Sequence, residues 1–177
     1  MTPFDLVKQV HEDYLAHDKR LLVPGFQAVA LHRFGCWQQK IKRKVFRAPL
    51  TVVARTLHVL VRNVYGIELP FSVKLGRRVV IYHQHGIVIH GNSIIGDDCI
   101  IRQGVTLGIR NMNRLTEAPE LGNGVEIGCG AKILGGVKIG DGAKIGANAV
   151  VLKNVPAKAT AIGVPATIWH CNSSPED

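Results

Sequence analysis

From residue 73 to about residue 161, the sequence repeats with a period of six residues. Hexads such as SIIGDD, CIIRQG, VKIGDG and AKIGAN place an aliphatic residue two positions after a small or β-branched one, and glycine commonly follows. An amphipathic helix, whose apolar residues recur about every 3.6 positions, does not have this period. A fixed hexapeptide repeat is typical of a β-helix, in which stacked coils bury one continuous aliphatic column. The sequence therefore predicts a mainly β fold, a parallel β-helix shaped as a stiff triangular prism of about four to five coils.

The repeat also predicts which side chains point inward. We expect the aliphatic position of each hexad to point into the coil, and the residue two positions before it to face inward at a corner. The aliphatic positions are Leu75, Ile81, Ile87, Ile95, Ile101, Leu107, Leu121, Ile127, Ile133, Ile139, Ile145 and Val151. His85 stands at one of the preceding positions, which predicts a buried, hydrogen-bonded structural histidine. His83 has the outward phase of its hexad.

Two interruptions depart from the period. Eight residues instead of six separate Ile87 from Ile95, which predicts a bulge at His90 and Gly91. The spacing from Leu107 to Leu121 exceeds the period of six by about eight residues, so residues 109–118 are predicted to leave the prism as an external loop. Loops that extend from a rigid scaffold commonly carry binding residues. We expect the two interruptions to frame one edge of the prism, with the functional site between them.

The residues before the repeat have the pattern of helices. Thr2, Pro3 and Asp5 match a helix start, with a capping residue, a proline at the first helical position and an acid in the first turn. Apolar residues then recur at helical spacing.

Prolines and glycines divide this region into three predicted helices. Pro24 and Gly25 are expected to separate the first helix from the second, Pro49 to separate the second from the third, and Gly66 to end the third. The chain is thus divided into an α-helical N-terminal region at residues 1–66, a β-helix domain at 67–168 and a C-terminal tail at 169–177.

A basic run at residues 40–47 follows the second predicted helix. Two interpretations stay open: a solvated helix end, where cations interact favourably with the C-terminal dipole, or a patch that faces anionic lipid. The whole chain has a formal net charge of +9. No helix-turn-helix, zinc-finger or aromatic RNA-binding pattern accompanies this charge, so no nucleic-acid partner is expected.

Cysteine usage and hydropathy indicate a cytoplasmic protein. The four cysteines have no CxxC spacing and are interpreted as free thiols in a reducing compartment: Cys36, Cys99, Cys129 and Cys171. The N-terminus lacks the basic and apolar segments of a signal peptide. The most apolar run, residues 48–65, contains Arg55, His58, Arg62 and Asn63, so no membrane-spanning helix is expected there.

At this point the chain resembles a known family. The hexads, the helical first third, the segment YHQHGIV at residues 82–88 and the GVPA sequence at 163–166 resemble the serine acetyltransferase branch of the left-handed β-helix (hexapeptide-repeat) acyltransferases. The resemblance is good from about Leu50 onward and weaker before it. It implies a left-handed coil, whereas the general preference for right-handed crossovers would have favoured the other hand. It also implies a homotrimer.

The resemblance implies that His83 is a general base paired with a carboxylate at Glu68. An alcohol is a poor nucleophile, so a neutral imidazole must take its proton as the oxygen attacks a thioester. A carboxylate on the other ring nitrogen fixes the tautomer and stabilises the imidazolium. The family usually has Asp at the position of Glu68.

The acetyl donor implied by the resemblance is acetyl-CoA, whose pantetheine arm lies in a groove between prisms of adjacent subunits. The matching positions are Gly108, Ile109, Cys129, Gly130, Lys132, Lys144, Ala147, Gly163 and Pro165. Lys132, Lys144 and also Lys153 are candidates for the phosphates. No metal is expected, although His83, His85 and His90 leave open a metal-dependent β-helix similar to the γ-class carbonic anhydrases, as well as a noncatalytic one.

The acceptor is inferred from departures from the family. The acid that precedes the family's catalytic histidine is here Tyr82, and the Asp-Arg-His-Pro that ends the family's loop is here TEAP, residues 116–119. Both anchors for a zwitterionic amino acid are therefore absent. We accordingly predict transfer to a saccharide hydroxyl, as in the O-acetyltransferases of exopolysaccharide, capsule or colanic-acid synthesis. Whether the acceptor is free, nucleotide-linked or carried by lipid at the inner face of the cytoplasmic membrane stays open. The predicted acceptor-binding residues are Tyr82, Gln84, His90, Arg110, Asn111, Asn113 and Glu117. Serine or another small alcohol is the alternative acceptor.

Overall fold

The computed structural model describes residues 2–170, so Cys171 and the rest of the predicted tail beyond His170 lie outside the described residues. Three helices come first: α1 (Pro3–Ala16), α2 (Pro24–Gln38) and α3 (Lys44–Leu60), which continues into a π-helical turn at Val61–Tyr65. Thr2 caps α1 as predicted, since the Thr2 hydroxyl accepts from the Asp5 backbone N–H at 3.2 Å.

The helix boundaries differ from the prediction at two prolines. Pro24 begins α2 at its first position instead of separating two elements. Pro49 lies inside α3, which begins five residues earlier at Lys44. A proline this close to the N-terminus removes only one helical hydrogen bond, so the helix continues through it. Lys44 and Arg47 therefore lie at a helix N-terminus, where the dipole does not favour cations, and the interpretation of the basic run as a C-terminal helix end was wrong for them.

Fifteen short strands follow. They are β1 (Ile67–Glu68), β2 (Lys74–Leu75), β3 (Val80–Tyr82), β4 (Ile87–Ile89), β5 (Ile94–Ile95), β6 (Ile100–Arg102), β7 (Thr106–Gly108), β8 (Glu120–Leu121), β9 (Glu126–Ile127), β10 (Lys132–Leu134), β11 (Lys138–Ile139), β12 (Lys144–Ile145), β13 (Val150–Val151), β14 (Ala159–Ile162) and β15 (Thr167–His170).

The strands form three parallel sheets, which are the faces of a prism. The first face is β1-β4-β7-β10-β13, the second is β2-β5-β8-β11, and the third is β3-β6-β9-β12-β14, to which β15 adds an antiparallel edge strand. Apart from β14 and β15, strands that are consecutive in sequence belong to different faces, so each parallel pair joins strands that are one coil apart. This arrangement of about five coils confirms the predicted parallel β-helix.

The hexad positions form the core. Most of their side chains are almost completely buried, as the prediction required; Leu75 is the exception, half-buried on β2 at the edge of the second face. The column of isoleucine, leucine and valine runs the length of the prism and is continuous with two buried residues of α2, Ala28 and Val29.

The strand register corrects the position of the first interruption. Ile89, not Ile87, pairs with Leu107, while Ile87 takes the inward position before it. On the third face Tyr82 pairs with Arg102. In the turn that follows, the Gly104 N–H donates to the His85 carbonyl at 3.0 Å, which aligns His85 with Gln103. The aligned positions Arg102 and Gln103 are therefore one position apart in sequence, whereas Tyr82 and His85 are three positions apart. The two extra residues are therefore His83 and Gln84. The bulge predicted at His90 and Gly91 was wrong because Ile87 and Ile89 are both aliphatic and fit the pattern equally well.

The register also moves His85. It was predicted to point inward as a buried structural residue, but its side chain is exposed, because the two inserted residues change its phase in the coil. The second interruption is confirmed: residues 109–119 leave the prism between β7 and β8, and residues 110–117 are exposed.

Buried polar contacts attach the helices to the prism. Arg33 of α2 donates to Asp13 of α1 at 2.9 Å and to the backbone carbonyl of Leu75 at 2.8 Å. The His17 ring is 2.7 Å from the Asp13 carbonyl and accepts from the Ile81 N–H at 3.3 Å. A Cβ on Gly25 would overlap the Ile81 carbonyl, so α2 lies directly against β3. Within residues 2–170, no helix is both long and apolar enough to cross a bilayer.

Candidate functional site

The turns of the coil form three edges along the prism, and two of them carry the predicted site residues. The histidine edge joins the third face to the first and contains residues 82–86, 102–105, 128–131, 146–149 and 163–166. The loop edge joins the first face to the second and contains residues 90–93, 109–119 and 135–137.

His83 lies at the histidine edge in the two-residue bulge between β3 and β4. Its side chain is exposed, in agreement with its predicted outward phase. Both His83 (φ 63°) and His85 (φ 75°) have left-handed backbone conformations, which non-glycine residues adopt infrequently. Strained residues of this kind cluster at functional sites. The bulge thus presents an imidazole to solvent on a backbone that the surrounding coil must hold in place.

Glycines allow the coils to stack closely beside this bulge. A Cβ on Gly86 would lie 3.3 Å from the Gly104 Cα, and a Cβ on Gly104 would lie 3.2 Å from the Gly130 Cα. All three glycines have positive φ angles. At these glycines the backbones of successive coils approach closely, which leaves room for an extended ligand to lie along the histidine edge.

Glu68 lies on β1, paired with Val88 of β4, and so on the coil adjoining that of His83. Within residues 2–170, however, no side-chain hydrogen bond joins Glu68 to His83. The Glu68 carboxylate instead acts on His58 of α3: burial lowers the pKa of His58 and Arg62 lowers it further, while Glu68 opposes both.

Sequence reasoning gave His58 no role in the site. Its ring lies 5.1 Å from the ring of Phe71, between α3 and the first coil. The available signal was its place on the inward side of the third helix, four residues after the buried Ala54.

Arg102 is a second residue that the sequence did not indicate. Its guanidinium lies 6.0 Å from the centre of the Tyr82 ring, within the range of a cation–π contact. It places a positive charge on the coil next to His83. Since one coil is about 20 residues long here, the signal was the spacing of 20 between Tyr82 and Arg102.

Five of the predicted donor-binding positions fall together along the histidine edge: Cys129, Gly130, Ala147, Gly163 and Pro165. The Gly163 carbonyl accepts from the Val150 N–H at 3.0 Å, which fixes the last of these turns to β13. A cavity of about 340 Å³ lies beside the edge and is lined by Arg102, Cys129, Lys144 and Ala147 among others.

Two of the predicted phosphate-binding lysines, Lys132 and Lys144, have protein partners. The Lys132 ammonium donates to the Thr106 hydroxyl at 3.1 Å and to the Gly104 carbonyl. Lys144 pairs with Glu126 at 3.6 Å on the exposed surface of the third face. A phosphate at either lysine would have to compete with these contacts.

The loop edge carries the other predicted residues. Gly108 and Ile109 begin the loop, and a cavity of about 720 Å³ is lined by Arg110, Asn111, Asn113, Glu117 and the facing Gly135 and Gly136. Glu117 pairs with Arg114 at 3.1 Å, so its negative charge is partly compensated. His90 is half-buried, and its ring accepts from the Asn92 N–H at 3.3 Å.

The two edges are separated within one chain by the whole first face. The prediction that both interruptions frame one edge was wrong, because it placed the extra residues at His90, on the loop edge, instead of at His83. Gln84 and Tyr82 accompany His83, whereas Arg110, Asn111, Asn113 and Glu117 lie at the loop edge.

The histidines and cysteines that the structure describes do not form a metal site. Within residues 2–170, no group of three or more His, Cys, Asp or Glu side chains could hold an ion. His83 and His85 lie on one edge and His90 on another. Among the described cysteines, Cys36, Cys99 and Cys129 are free thiols, and burial raises the pKa of Cys99 to about 11.

Comparisons with known proteins agree with this architecture. Residues 118–153 match the family model described as bacterial transferase hexapeptide (six repeats). The serine acetyltransferase of Synechococcus elongatus is 39% identical over 150 residues, which are 85% of this chain and 59% of that protein. The chain thus spans about three fifths of the length of this curated relative.

Solved structures match over more of their length. The serine acetyltransferase of Brucella abortus in complex with coenzyme A superposes with a TM-score of 0.80 at 29% identity, covering 94% of this chain and 68% of that chain. Soybean serine acetyltransferase complexed with serine superposes with a TM-score of 0.79 at 32% identity, covering 92% of this chain and 69% of that chain.

Proposed function

Because this chain belongs to the hexapeptide-repeat acyltransferases of left-handed β-helix fold, in the branch that contains the serine acetyltransferases, we propose that it is an acetyl-CoA-dependent O-acetyltransferase. The observation that carries this proposal is the exposed His83 imidazole in its two-residue bulge, beside a glycine-lined edge.

In the proposed reaction, His83 acts as general base. Its neutral imidazole takes the proton of the acceptor hydroxyl while the oxygen attacks the thioester carbonyl carbon. The C–S bond then breaks, coenzyme A leaves as the thiol after receiving the proton from the imidazolium, and the acetyl ester remains on the acceptor. Glu68 is the candidate carboxylate partner of His83, since catalytic hydrogen bonds often become short only when substrate is bound.

Acetyl-CoA is the proposed donor, and the coenzyme A complex of the Brucella abortus relative supports it. The predicted donor contacts lie on both edges: Cys129, Gly130 and the residues beside them on the histidine edge, Gly108 and Ile109 on the loop edge. One chain cannot bring these edges together across its first face. We therefore propose a homotrimer, in which the histidine edge of one prism faces the loop edge of the next.

Serine is the acceptor that the relatives support best, since both the curated relative and the serine-bound soybean structure are serine acetyltransferases. The structure also weakens the argument against a zwitterionic acceptor. Arg102 lies beside Tyr82, and Arg110 lines the loop-edge cavity, so cations are present although not at residues 116–119. The pairing of Glu117 with Arg114 reduces its repulsion of a carboxylate.

A saccharide acceptor is the second candidate. It is favoured by the neutral, hydrogen-bonding character of Tyr82 and Gln84 beside His83 and of Asn111 and Asn113 in the loop-edge cavity. Amide and hydroxyl groups suit a polyol, and the acid that the family places at position 82 is absent.

The test is release of free coenzyme A from acetyl-CoA by the purified chain, with L-serine and with a panel of saccharides as acceptors. Saturable turnover on serine alone supports the first acceptor, and turnover on a sugar alone supports the second. His83→Asn should lower the rate by about 10²–10⁴-fold, the usual contribution of a general base.

His85→Asn is the matched control. It changes an equally exposed histidine of the same turn, and asparagine tolerates the left-handed backbone at both positions. The control should retain activity. Equal loss in both variants, or full activity of His83→Asn, would remove His83 from the proposed role.

The shared site can be tested by complementation. His83→Asn and Arg110→Ala chains change opposite edges, so each should be weak alone. If adjacent subunits form one site, coexpressed chains should regain part of the wild-type rate, because some interfaces then combine two intact edges. Mixed assemblies with no recovered activity would contradict the shared site.

A further inference from the structure

The net positive charge of this protein is concentrated in its second and third helices and the segments around them. Residues 19–67 contain ten Lys or Arg and no Asp or Glu. The whole chain has 22 basic and 13 acidic residues, which leaves 12 basic against 13 acidic residues elsewhere. The β-helix at residues 68–168 contains 11 basic and 7 acidic residues, a net charge of +4, whereas residues 19–67 have a net charge of +10, so this one segment is the most positive part of the chain.

Helix α3 lies within this basic segment and exposes apolar side chains. Among its residues only Ala54 is fully buried. Two adjacent rows at a spacing of seven are exposed to solvent: Val45, Val52 and Val59, and Phe46, Val53 and Leu60. Val45 is 82% exposed and Val52 is 65% exposed. Because successive helical residues are about 100° apart, the two rows and the residues between them span about 140° of the helix circumference.

Cations border the apolar rows on one flank of α3. Lys44 and Arg55, eleven residues apart, lie on the same side of the helix. Together with Arg47 they line a cavity of about 650 Å³ between α3 and the end of α2. No carboxylate lines this cavity. An apolar face bordered by Lys and Arg is the arrangement of helices that lie in a membrane interface.

The charge distribution favours an anionic bilayer over a second copy of the chain. If two α3 faces packed together, their basic borders would approach each other, with no acidic residue between positions 19 and 67 to compensate. An anionic lipid surface supplies both hydrocarbon for the apolar rows and negative charge for the cations. No helix in residues 2–170 is suited to span the bilayer, so contact would be parallel to its surface.

We propose that α3 is a peripheral membrane-binding helix, which inserts its two apolar rows into the surface of an anionic bilayer while Lys44, Arg47 and Arg55 contact lipid phosphates.

The experiment is cosedimentation of the full chain with vesicles of phosphatidylglycerol and phosphatidylcholine, compared with vesicles of phosphatidylcholine alone. Binding to the anionic vesicles is expected at low salt and should weaken as salt rises. Val52→Ser combined with Val53→Ser should weaken binding about tenfold through lost apolar contact, and Lys44→Gln combined with Arg55→Gln should weaken it about tenfold through lost charge.

Matched controls lie at the other end of the prism. Trp169→Ser removes an exposed apolar side chain from β15, and Lys138→Gln removes a cation from β11. Both controls should bind vesicles as the wild type does. All four variants change residues outside the proposed acetyl-transfer site, so release of coenzyme A with a soluble acceptor should be unchanged and reports separately on the proposed function.

Absence of binding to anionic vesicles would overturn the proposal, as would binding that the Val52 and Val53 substitutions leave unchanged. A third result would also overturn it: concentration-dependent self-association in light scattering that the same substitutions abolish, since a second copy would then cover the face.

Discussion

The β-helix and the helical region distribute polar and apolar side chains in opposite ways. In the coil, aliphatic residues point inward and charged ones outward. In the helical region, five polar residues are buried against the coil or between helices, namely Asp13, His17, His32, Arg33 and Gln38, whereas only Ser93 is so buried among the described coil residues. The exposed large apolar side chains, in turn, are concentrated on the helices.

This difference indicates two modes of stabilisation. The coil is held by apolar burial repeated from coil to coil, which needs little specificity at any single position. The helices are held to it by a few buried polar contacts, each of which has a defined partner and leaves an unpaired group if that partner is removed. The two regions should therefore respond differently to substitution and to pH.

The largest effect is expected from Arg33→Ala. Arg33 pairs with Asp13 at 2.9 Å, and both side chains are buried. Burial raises the pKa of Asp13, and Arg33 opposes that rise, so the variant leaves a buried carboxylate uncompensated. We expect a loss of about 3–5 kcal/mol in the free energy of unfolding of the helical region. Hydrogen exchange should show early opening of α1 and α2.

The control for this substitution is the coil in the same sample. Amides of β9 to β13 lie several coils from Arg33 and should keep their protection. Equal loss of protection in the helices and in these distant strands would mean that the two regions unfold as one unit.

The coil is tested by Ile133→Ala. Ile133 is completely buried at a hexad position of β10, paired with Leu107 and Val151. The substitution should cost about 2–5 kcal/mol, since a rigid stack of coils relaxes little around the cavity. Ile133→Val, which removes one methylene, should cost only about 0.5–1.5 kcal/mol. Denaturant unfolding measures both, and similar losses in the two variants would argue against a cavity as the cause.

The sequence predicts the coil well because one physical requirement repeats there. Every sixth residue must fill the same column, so the pattern indicates the strands, the core and the external loop. The pattern fails where two aliphatic residues close in sequence can both fill the column, as Ile87 and Ile89 can. Because of this ambiguity, the bulge and the orientation of the His85 side chain were predicted wrongly.

The helical region could not be predicted in the same detail because its contacts are specific and distant in sequence. Arg33 donates to the Leu75 carbonyl, 42 residues away, and no local pattern encodes that partner. The same limit applies to the site. The exposed phase of His83 followed from the hexads, but the effect of Glu68 on the pKa of His58 and the proximity of Arg102 to Tyr82 depend on which coils and helices are neighbours.

The pH dependence of stability should come from the helical region. Burial lowers the pKa of His32 from 6.5 to about 4, so the folded state favours the neutral imidazole. Above pH 6.5 the His32 imidazole is neutral in both the folded and the unfolded chain, so it does not reduce the free energy of unfolding. As the pH falls from 6.5 toward 4, His32 of the unfolded chain binds a proton before His32 of the folded chain does, and the folded state loses stability. The loss is about 3 kcal/mol at pH 4. Urea unfolding of wild type and His32→Gln at pH 7.5 and pH 4.5 measures it.

The variant should lose most of this pH dependence but not all, since burial also lowers the pKa of His17. An unchanged slope of stability against pH in His32→Gln would assign the acid sensitivity to other groups.

The smallest effect is expected from an ion pair on the outside of the coil. Like Arg33 and Asp13, this pair joins a cation to a carboxylate, but it is exposed to water instead of buried. Lys138 and Glu120 pair at 3.5 Å on stacked strands of the second face, with side chains 72% and 47% exposed. Water solvates both charges whether or not they pair, so a double-mutant cycle with Lys138→Gln and Glu120→Gln should give a coupling energy of only about 0.2–1 kcal/mol. High salt should reduce it further. A coupling as large as the loss in Arg33→Ala would mean that burial does not distinguish the two regions, because an exposed pair would then be as hard to replace as a buried one.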